Sequence, residues 1–320
     1  MVNKDLGFSL WLDFIERDYL ENDFEDLVKR GVINGATSNP SIFANAINTS
    51  KAYKNQLDTL KGKTPKEKYE ALAIRDIKTT AQKLRSCYDE NNDGYISIEV
   101  DPFLSNDTEA TIKEAKRLFR AIDEPNVMVK IPATNAGYQA MSTLIEDGIS
   151  VNATLIFSPT QAQNCIDAMN KGFLNSSNNK IDAVISVFVS RFDRLLDSEK
   201  IGIINASKIY NMVENNKNKN IRTLFASTGV KGNNLNADYY IKELFGSHCI
   251  NTAPLATIEA YIIKPQIEPK LPIPQDKIDN FFKDLESKNI NMENVYNKLL
   301  KDGLEAFEEA FSDMLNGLRD

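Results

Sequence analysis

Short apolar runs alternate with longer amphipathic stretches along this chain. The runs cover residues 8–12, 32–36, 95–100, 127–131, 150–156, 183–188, 221–226 and 249–252. They are β-branched or aromatic in character and mostly too short for helices, so they predict strands. The stretches between them carry helical periodicity. Over 15–30, Ile15, Tyr19, Leu20, Phe24 and Leu27 share one face. Over 106–121, an opening Asn-Asp-Thr-Glu supplies a cap before Ile112, Ala115 and Phe119. Segments 138–146 and 160–169 follow the next two strands in the same way. Parallel neighbours need crossover connections, so this alternation predicts a parallel sheet. Eight units point to an α/β fold, a closed (β/α)8 TIM barrel with additional helices. A doubly wound open sheet is the competing architecture.

Three segments break the rhythm. Residues 51–89 are too long for one crossover and read as two helices split near 62–65. Residues 194–220 are polar, end in an Asn/Lys run, and read as an exposed helical insertion. Residues 264–274 carry four prolines and read as an extended linker. Amphipathic helix returns beyond it, with Phe281, Phe282 and Leu285, then Leu299, Leu304, Phe307 and Phe311. The expectation is a catalytic barrel over 1–262 and a helical extension over 263–320, packed on the barrel as part of the same domain.

Composition narrows the function. With 38 Lys+Arg against 45 Asp+Glu, the net charge is −7, and no basic stripe is segregated, which argues against nucleic-acid binding. No apolar run approaches the roughly 20 residues of a membrane span. The N-terminus is charged and then apolar for too few residues to read as a signal peptide. The three cysteines (Cys87, Cys165 and Cys249) are odd in number and far apart, which suggests a reducing, cytoplasmic setting rather than a disulfide framework. A single histidine, His248, removes most metal sites and most Ser-His or Cys-His mechanisms.

In a parallel barrel, chemistry sits at the C-terminal ends of the strands. Those ends carry Asp13, then Thr37-Ser38-Asn39-Pro40, then Glu99, Lys130, Asn152 with Thr154, Ser186, Ser227-Thr228-Gly229 and Asn251-Thr252. Charges are rare in buried strands unless paired, so two acids and a lysine at comparable depth stand out. Val127, Met128, Val129 and Ile131 surround Lys130. Desolvation penalises the ammonium form and favours a nucleophilic amine able to form a Schiff base. The plainer alternative is a lysine held by a buried carboxylate. Asp13 and Glu99 suit proton transfer in such chemistry. Asp13 could equally cap a helix, and Glu99 could pair with Lys130. Arg191 after the sixth run and 227–232 after the seventh suggest a phosphate site, against the default of solvated surface cations. Residues 89–97 resemble the start of an EF-hand loop, but its twelfth position is Val100, and a strand follows where a helix should. We read them as a turn rich in Asn and Asp.

These residues resemble the transaldolase family. Residues 35–43 (GATSNPSIF) resemble its first signature, and 129–137 (VKIPATNAG) its Schiff-base lysine signature. Residues 9–13, 97–101, 151–155 and 226–231 match further blocks in order, so the resemblance spans about 8–262. It implies a class I transferase of the pentose phosphate pathway's non-oxidative branch. The reaction would carry a dihydroxyacetone unit from sedoheptulose 7-phosphate to glyceraldehyde 3-phosphate, giving erythrose 4-phosphate and fructose 6-phosphate. Carried over by resemblance, Lys130 forms the Schiff base and Asp13 exchanges a hydroxyl proton. Glu99 and Thr154 hold a water. Asn39, Asn152 and Ser186 bind the dihydroxyacetone unit, and Arg191 grips phosphate. The better-known branch has an arginine after strand seven; here Ser227 and Lys231 stand in that region, as in a longer bacterial and plant branch. Lysine lacks the arginine fork, so phosphate geometry would differ. The implied partners are small sugar phosphates, with no metal or organic cofactor, in a monomer or homodimer. The alternatives are a fructose-6-phosphate aldolase-type lyase, or a non-catalytic sugar-phosphate or calcium binder.

Overall fold

A computed structural model of the chain describes residues 1–178, 180–232 and 234–319. Eight parallel strands close a barrel in chain order: β1 (Ser9–Leu12), β2 (Gly35–Ala36), β3 (Ile96–Glu99), β4 (Val127–Pro132), β5 (Val151–Ile156), β6 (Ala183–Phe188), β7 (Ile221–Ala226) and β8 (Cys249–Ala253). β1 pairs with β8, which excludes the open sheet. Each strand coincides with an expected apolar run to within a few residues.

Alternation along the strands builds two cores. Leu10, Ile98, Val129, Ala153, Ile185 and Phe225 face outward and pack with the helices. Trp11, Met128, Val184, Leu224 and Ile250 form a second cluster that fills the barrel interior. Gly35 belongs to that interior, because a Cβ there would lie 2.4 Å from the Trp11 indole nitrogen.

Three helical readings change. The expected helix 15–30 is two, Arg17–Asn22 and Phe24–Lys29, joined at Asp23. Segment 51–89 holds a 3-10 turn and three helices: Lys54–Thr59, Pro65–Lys83 and Arg85–Asp89. Segment 194–220 is not an exposed insertion. Its helix Ile201–Glu214 is the crossover between β6 and β7 and buries Ile203, Asn205, Ile209, Tyr210 and Val213. Its polar residues find distant partners: Asn205 donates to the Phe157 carbonyl at 2.8 Å and accepts from the Tyr296 hydroxyl at 2.8 Å.

The C-terminal segment holds two helices, Gln275–Ser287 and Met292–Gly317. The second lies against the helix Pro40–Thr49 and the barrel, burying Phe307, Phe311 and Met314. Lys68 donates to the Leu318 carbonyl at 3.0 Å and fastens its end. Among the described residues, no helix is long and apolar enough to cross a membrane.

Candidate active site

Register places the site before any side chain does. β3 and β4 pair Glu99 with Lys130, and β4 and β5 pair Lys130 with Asn152. All three face inward near the C-terminal end of the barrel. Lys130 is 6% exposed, and its Nζ lies 3.5 Å from Glu99 Oε2. It also donates to the Ser38 carbonyl at 3.2 Å.

The segment after β2 now has a physical reading. The Thr37 hydroxyl donates to Asp13 Oδ1 at 2.7 Å and lies 2.6 Å from the Thr252 hydroxyl. With its proton directed to Asp13, Thr37 accepts from Thr252, so a two-hydroxyl relay runs to the carboxylate. Ser38 supplies the carbonyl that holds Lys130. Asn39 accepts from the Ile42 amide at 3.1 Å and caps the helix Pro40–Thr49. Asp13 caps no helix; Glu16 caps the helix Arg17–Asn22 instead.

Residues 129–137 are equally constrained. Gly137 sits where a Cβ would be 2.1 Å from the Pro132 carbonyl oxygen, so only glycine lets that helix start fold back on its strand. Thr134 caps the helix Asn135–Glu146 by accepting from the Gly137 amide at 3.0 Å.

Asn152 donates to the Ser97 hydroxyl at 3.0 Å and accepts from Ser186 at 2.6 Å. This buried layer adjoins Lys130. Beyond it, β5 shifts register between Ala153 and Ile156, with Leu155 at φ 57°. Thr154 stands within that irregularity, fully buried. Its hydroxyl and both Glu99 carboxylate oxygens lack a hydrogen-bond partner among the described residues. Buried polar groups are ordinarily satisfied, so this concentration marks a place where hydrogen-bonding capacity is left for something else.

The electrostatics agree. Burial pushes the Glu99 carboxyl up to about 7, against the opposing pull of Lys130. Burial also raises Asp13 above the usual carboxylate range, while Lys130 and the Thr37 hydroxyl hold it down. Desolvation lowers the Arg191 guanidinium from its ordinary value, with Arg194 adding to the effect.

A cavity of about 210 Å³ opens over Lys130. Asp13, Asn39, Lys130, Ser186, Arg191 and Ser227 all line it. Arg191 rests 5.3 Å over the Phe188 ring. Ser227, at φ 56°, holds a left-handed conformation that strains a residue with a Cβ, and its hydroxyl lies 3.0 Å from that of Ser190. Glu99, Asn152 and Thr154 sit behind the cavity wall rather than on it. Lys231 does not line this cavity. It is exposed and lines a neighbouring cavity with Ser190 and Arg194.

Thr37, Thr252 and Phe307 also line the cavity and carry no role in the sequence reading. The first two stood at strand ends, where alternation could have assigned them. Phe307 gave no signal: it is one apolar position in an amphipathic tail. The EF-hand-like turn is structural, since Asp93 pairs with Arg222 and accepts from Trp11 Nε1 at 2.9 Å. Among the described residues, no group of three or more His, Cys, Asp or Glu could hold a metal ion.

Comparison with known proteins agrees with this geometry. The transaldolase of Helicobacter pylori (strain P12) is 47% identical over 316 residues, covering 96% of this chain and 98% of that protein. The transaldolase of Campylobacter jejuni subsp. jejuni (strain 81-176) is 49% identical over 327 residues, covering 98% and 99%. Residues 10–318 match the family described as transaldolase/fructose-6-phosphate aldolase, so the match includes the tail helix as well as the barrel, and the chain belongs to that family.

Proposed function

We propose that this protein is a transaldolase working through a Schiff base on Lys130. The supporting observation is a buried lysine 3.5 Å from a carboxyl poised near 7, opening on a cavity shared with Asp13 and Arg191. The donor is a ketose phosphate, sedoheptulose 7-phosphate or fructose 6-phosphate. Lys130 Nζ attacks its C2 carbonyl. Glu99 takes the amine proton and, with Thr154, holds the water through which the carbinolamine hydroxyl is protonated and lost. Asp13 then removes the proton from the C4 hydroxyl, and the C3–C4 bond breaks. The aldose leaves, and a three-carbon enamine stays on Lys130. Attack of that enamine on an acceptor aldehyde reforms the bond as Asp13 returns its proton. Water held by Glu99 and Thr154 hydrolyses the product imine.

Asn39, Asn152 and Ser186 bind the hydroxyls of the three-carbon unit. Arg191 and Ser227 hold phosphate at the rim, where a desolvated guanidinium favours an anion. Lys231 contributes only long-range attraction. Transfer to glyceraldehyde 3-phosphate, rather than release, is the reading favoured by relatives named transaldolase over their full length. The three buried free thiols fit a reducing cytoplasm, and the enzyme acts as a monomer or homodimer.

Borohydride reduction in the presence of fructose 6-phosphate should add a three-carbon mass to the peptide containing Lys130. The Lys130→Ala variant should show none. An undiminished adduct in that variant would falsify the assignment.

A further inference from the structure

The helix Met292–Gly317 reaches from the C-terminal extension to the mouth of the barrel and sets Phe307 into the catalytic cavity. The Phe307 ring centroid lies 5.7 Å from Lys130 Nζ, and the side chain is 8% exposed. One helical turn earlier, Gly303 lies against Leu155 and Arg191. The tail is therefore part of the wall that separates Lys130 from solvent.

The Schiff-base reading, on which this inference rests, leaves one branch point open. The three-carbon enamine on Lys130 has two fates. Its nucleophilic carbon can attack an aldehyde, which is transfer. Alternatively that carbon takes a proton from water, the resulting imine adds a second water, and dihydroxyacetone and free amine are released. The second fate needs solvent at the carbon as well as at the imine. In that reading the water for imine hydrolysis belongs with Glu99 and Thr154, whose unpartnered oxygens do not line the cavity. Phe307 lines the cavity itself and offers no proton donor.

We propose that Phe307 determines reaction specificity by shielding the enamine carbon from solvent protonation, so that the three-carbon unit waits for an acceptor aldehyde. Excluding water from a reactive intermediate suppresses its side reactions, and an aromatic ring does so without competing hydrogen bonds. The tail helix thus adds an apolar wall to a cavity that Phe188 of β6 also lines, and so biases the partition toward transfer.

The test compares the wild type with Phe307→Ala and Phe307→Leu. Free dihydroxyacetone is measured from fructose 6-phosphate alone, and transfer is measured with erythrose 4-phosphate as acceptor. In Phe307→Ala, the ratio of release to transfer should rise about tenfold. In Phe307→Leu, which keeps apolar bulk, it should rise less. In D2O the released dihydroxyacetone should carry one deuterium at the carbon that was protonated. Parallel loss of both activities with an unchanged ratio overturns the proposal. If Phe307→Ala fails to fold, the Leu variant decides, and a wild-type ratio there also overturns it. Borohydride trapping at Lys130 in every variant separates this outcome from failure of the Schiff-base reading, which would remove the adduct from the wild type too.

Discussion

At the N-terminal end of the strands, Arg222 of β7 pairs with Asp93 and donates to the Gly7 carbonyl at 3.0 Å and the Ser9 hydroxyl at 3.2 Å. Tyr95 donates to Asp182 at 2.9 Å, and His248 meets Glu214 at 2.8 Å. At the C-terminal end, Glu99 and Thr154 keep buried oxygens without hydrogen-bond partners, and Lys130 approaches its carboxylate no closer than 3.5 Å. The lower end holds the larger cavity, about 310 Å³ against about 210 Å³. Cavity size therefore points to the wrong end. Three unpartnered oxygens converging beside Lys130 point to the right one, whereas the unpartnered Arg222 Nε, Asn34 Oδ1 and Asn126 Oδ1 of the other end belong to side chains whose remaining polar atoms are bonded to neighbours.

The sharpest way to break this contrast is to remove one cation from each end. Lys130→Met should lower transfer activity on the order of 10⁴-fold or more, since the covalent step is lost. Its stability should change little, because Glu99, already near 7, can take up a proton once its partner is gone. Arg222→Met should instead cost about 1–3 kcal/mol of stability by leaving the partly buried Asp93 carboxylate with Trp11 Nε1 as its remaining partner. Denaturant melts and steady-state rates on both variants decide it. If the two variants lose activity and stability in the same proportion, the ends are not functionally distinct.

Glu99→Gln probes the mouth alone. A factor of about 10²–10⁴ in rate is expected from loss of the proton-transfer group. The sign of the pH effect follows from burial. A carboxyl raised to about 7 is protonated, and useless as a base, below that value, so wild-type activity should fall as pH drops through about 7. The glutamine variant should lack that limb. A limb that survives unchanged assigns it to another group.

Arg191→Lys keeps charge but loses the two-pronged geometry that phosphate favours. The KM for glyceraldehyde 3-phosphate should rise roughly tenfold with kcat preserved, and unphosphorylated glyceraldehyde should be unaffected. An equal effect on both aldehydes would remove Arg191 from the phosphate site. The smallest effect belongs to Gly303→Ala. A Cβ there would lie 3.3 Å from Arg191 Nη1 and displace the guanidinium by a few tenths of an ångström. A KM increase of about two- to threefold is expected, with stability held or improved, since alanine is the better helix former. An unchanged KM shows that the arginine tolerates the shift.

Why some elements were legible and others not follows from where their partners lie. The strands were readable because parallel strands covered on both sides are nearly continuous apolar runs. Lys130, Glu99 and Asp13 were readable because a charge in such a run conflicts with burial and needs a reason. The crossover helix Ile201–Glu214 was misread because its Asn205 and Ser207 count as polar in sequence. Their hydrogen bonds, to Phe157, Tyr296 and Ile203, become visible only in the folded chain. That Lys231 lines a neighbouring cavity and Ser227 the one over Lys130 leaves no mark in residue type, since the two stand four residues apart in one polar segment.

The amino-acid sequence alone determined the eight strands with their intervening helices and put Asp13, Glu99 and Lys130 at strand ends. Those are local or period-two properties, written in neighbouring residues. Tertiary structure alone decided that Phe307 roofs Lys130, that Thr252 and Thr37 relay to Asp13, and that the unpartnered oxygens of Glu99 and Thr154 gather beside Lys130. These depend on contacts between segments tens to hundreds of residues apart, where any apolar side chain in the tail has the same sequence signature until packing selects one.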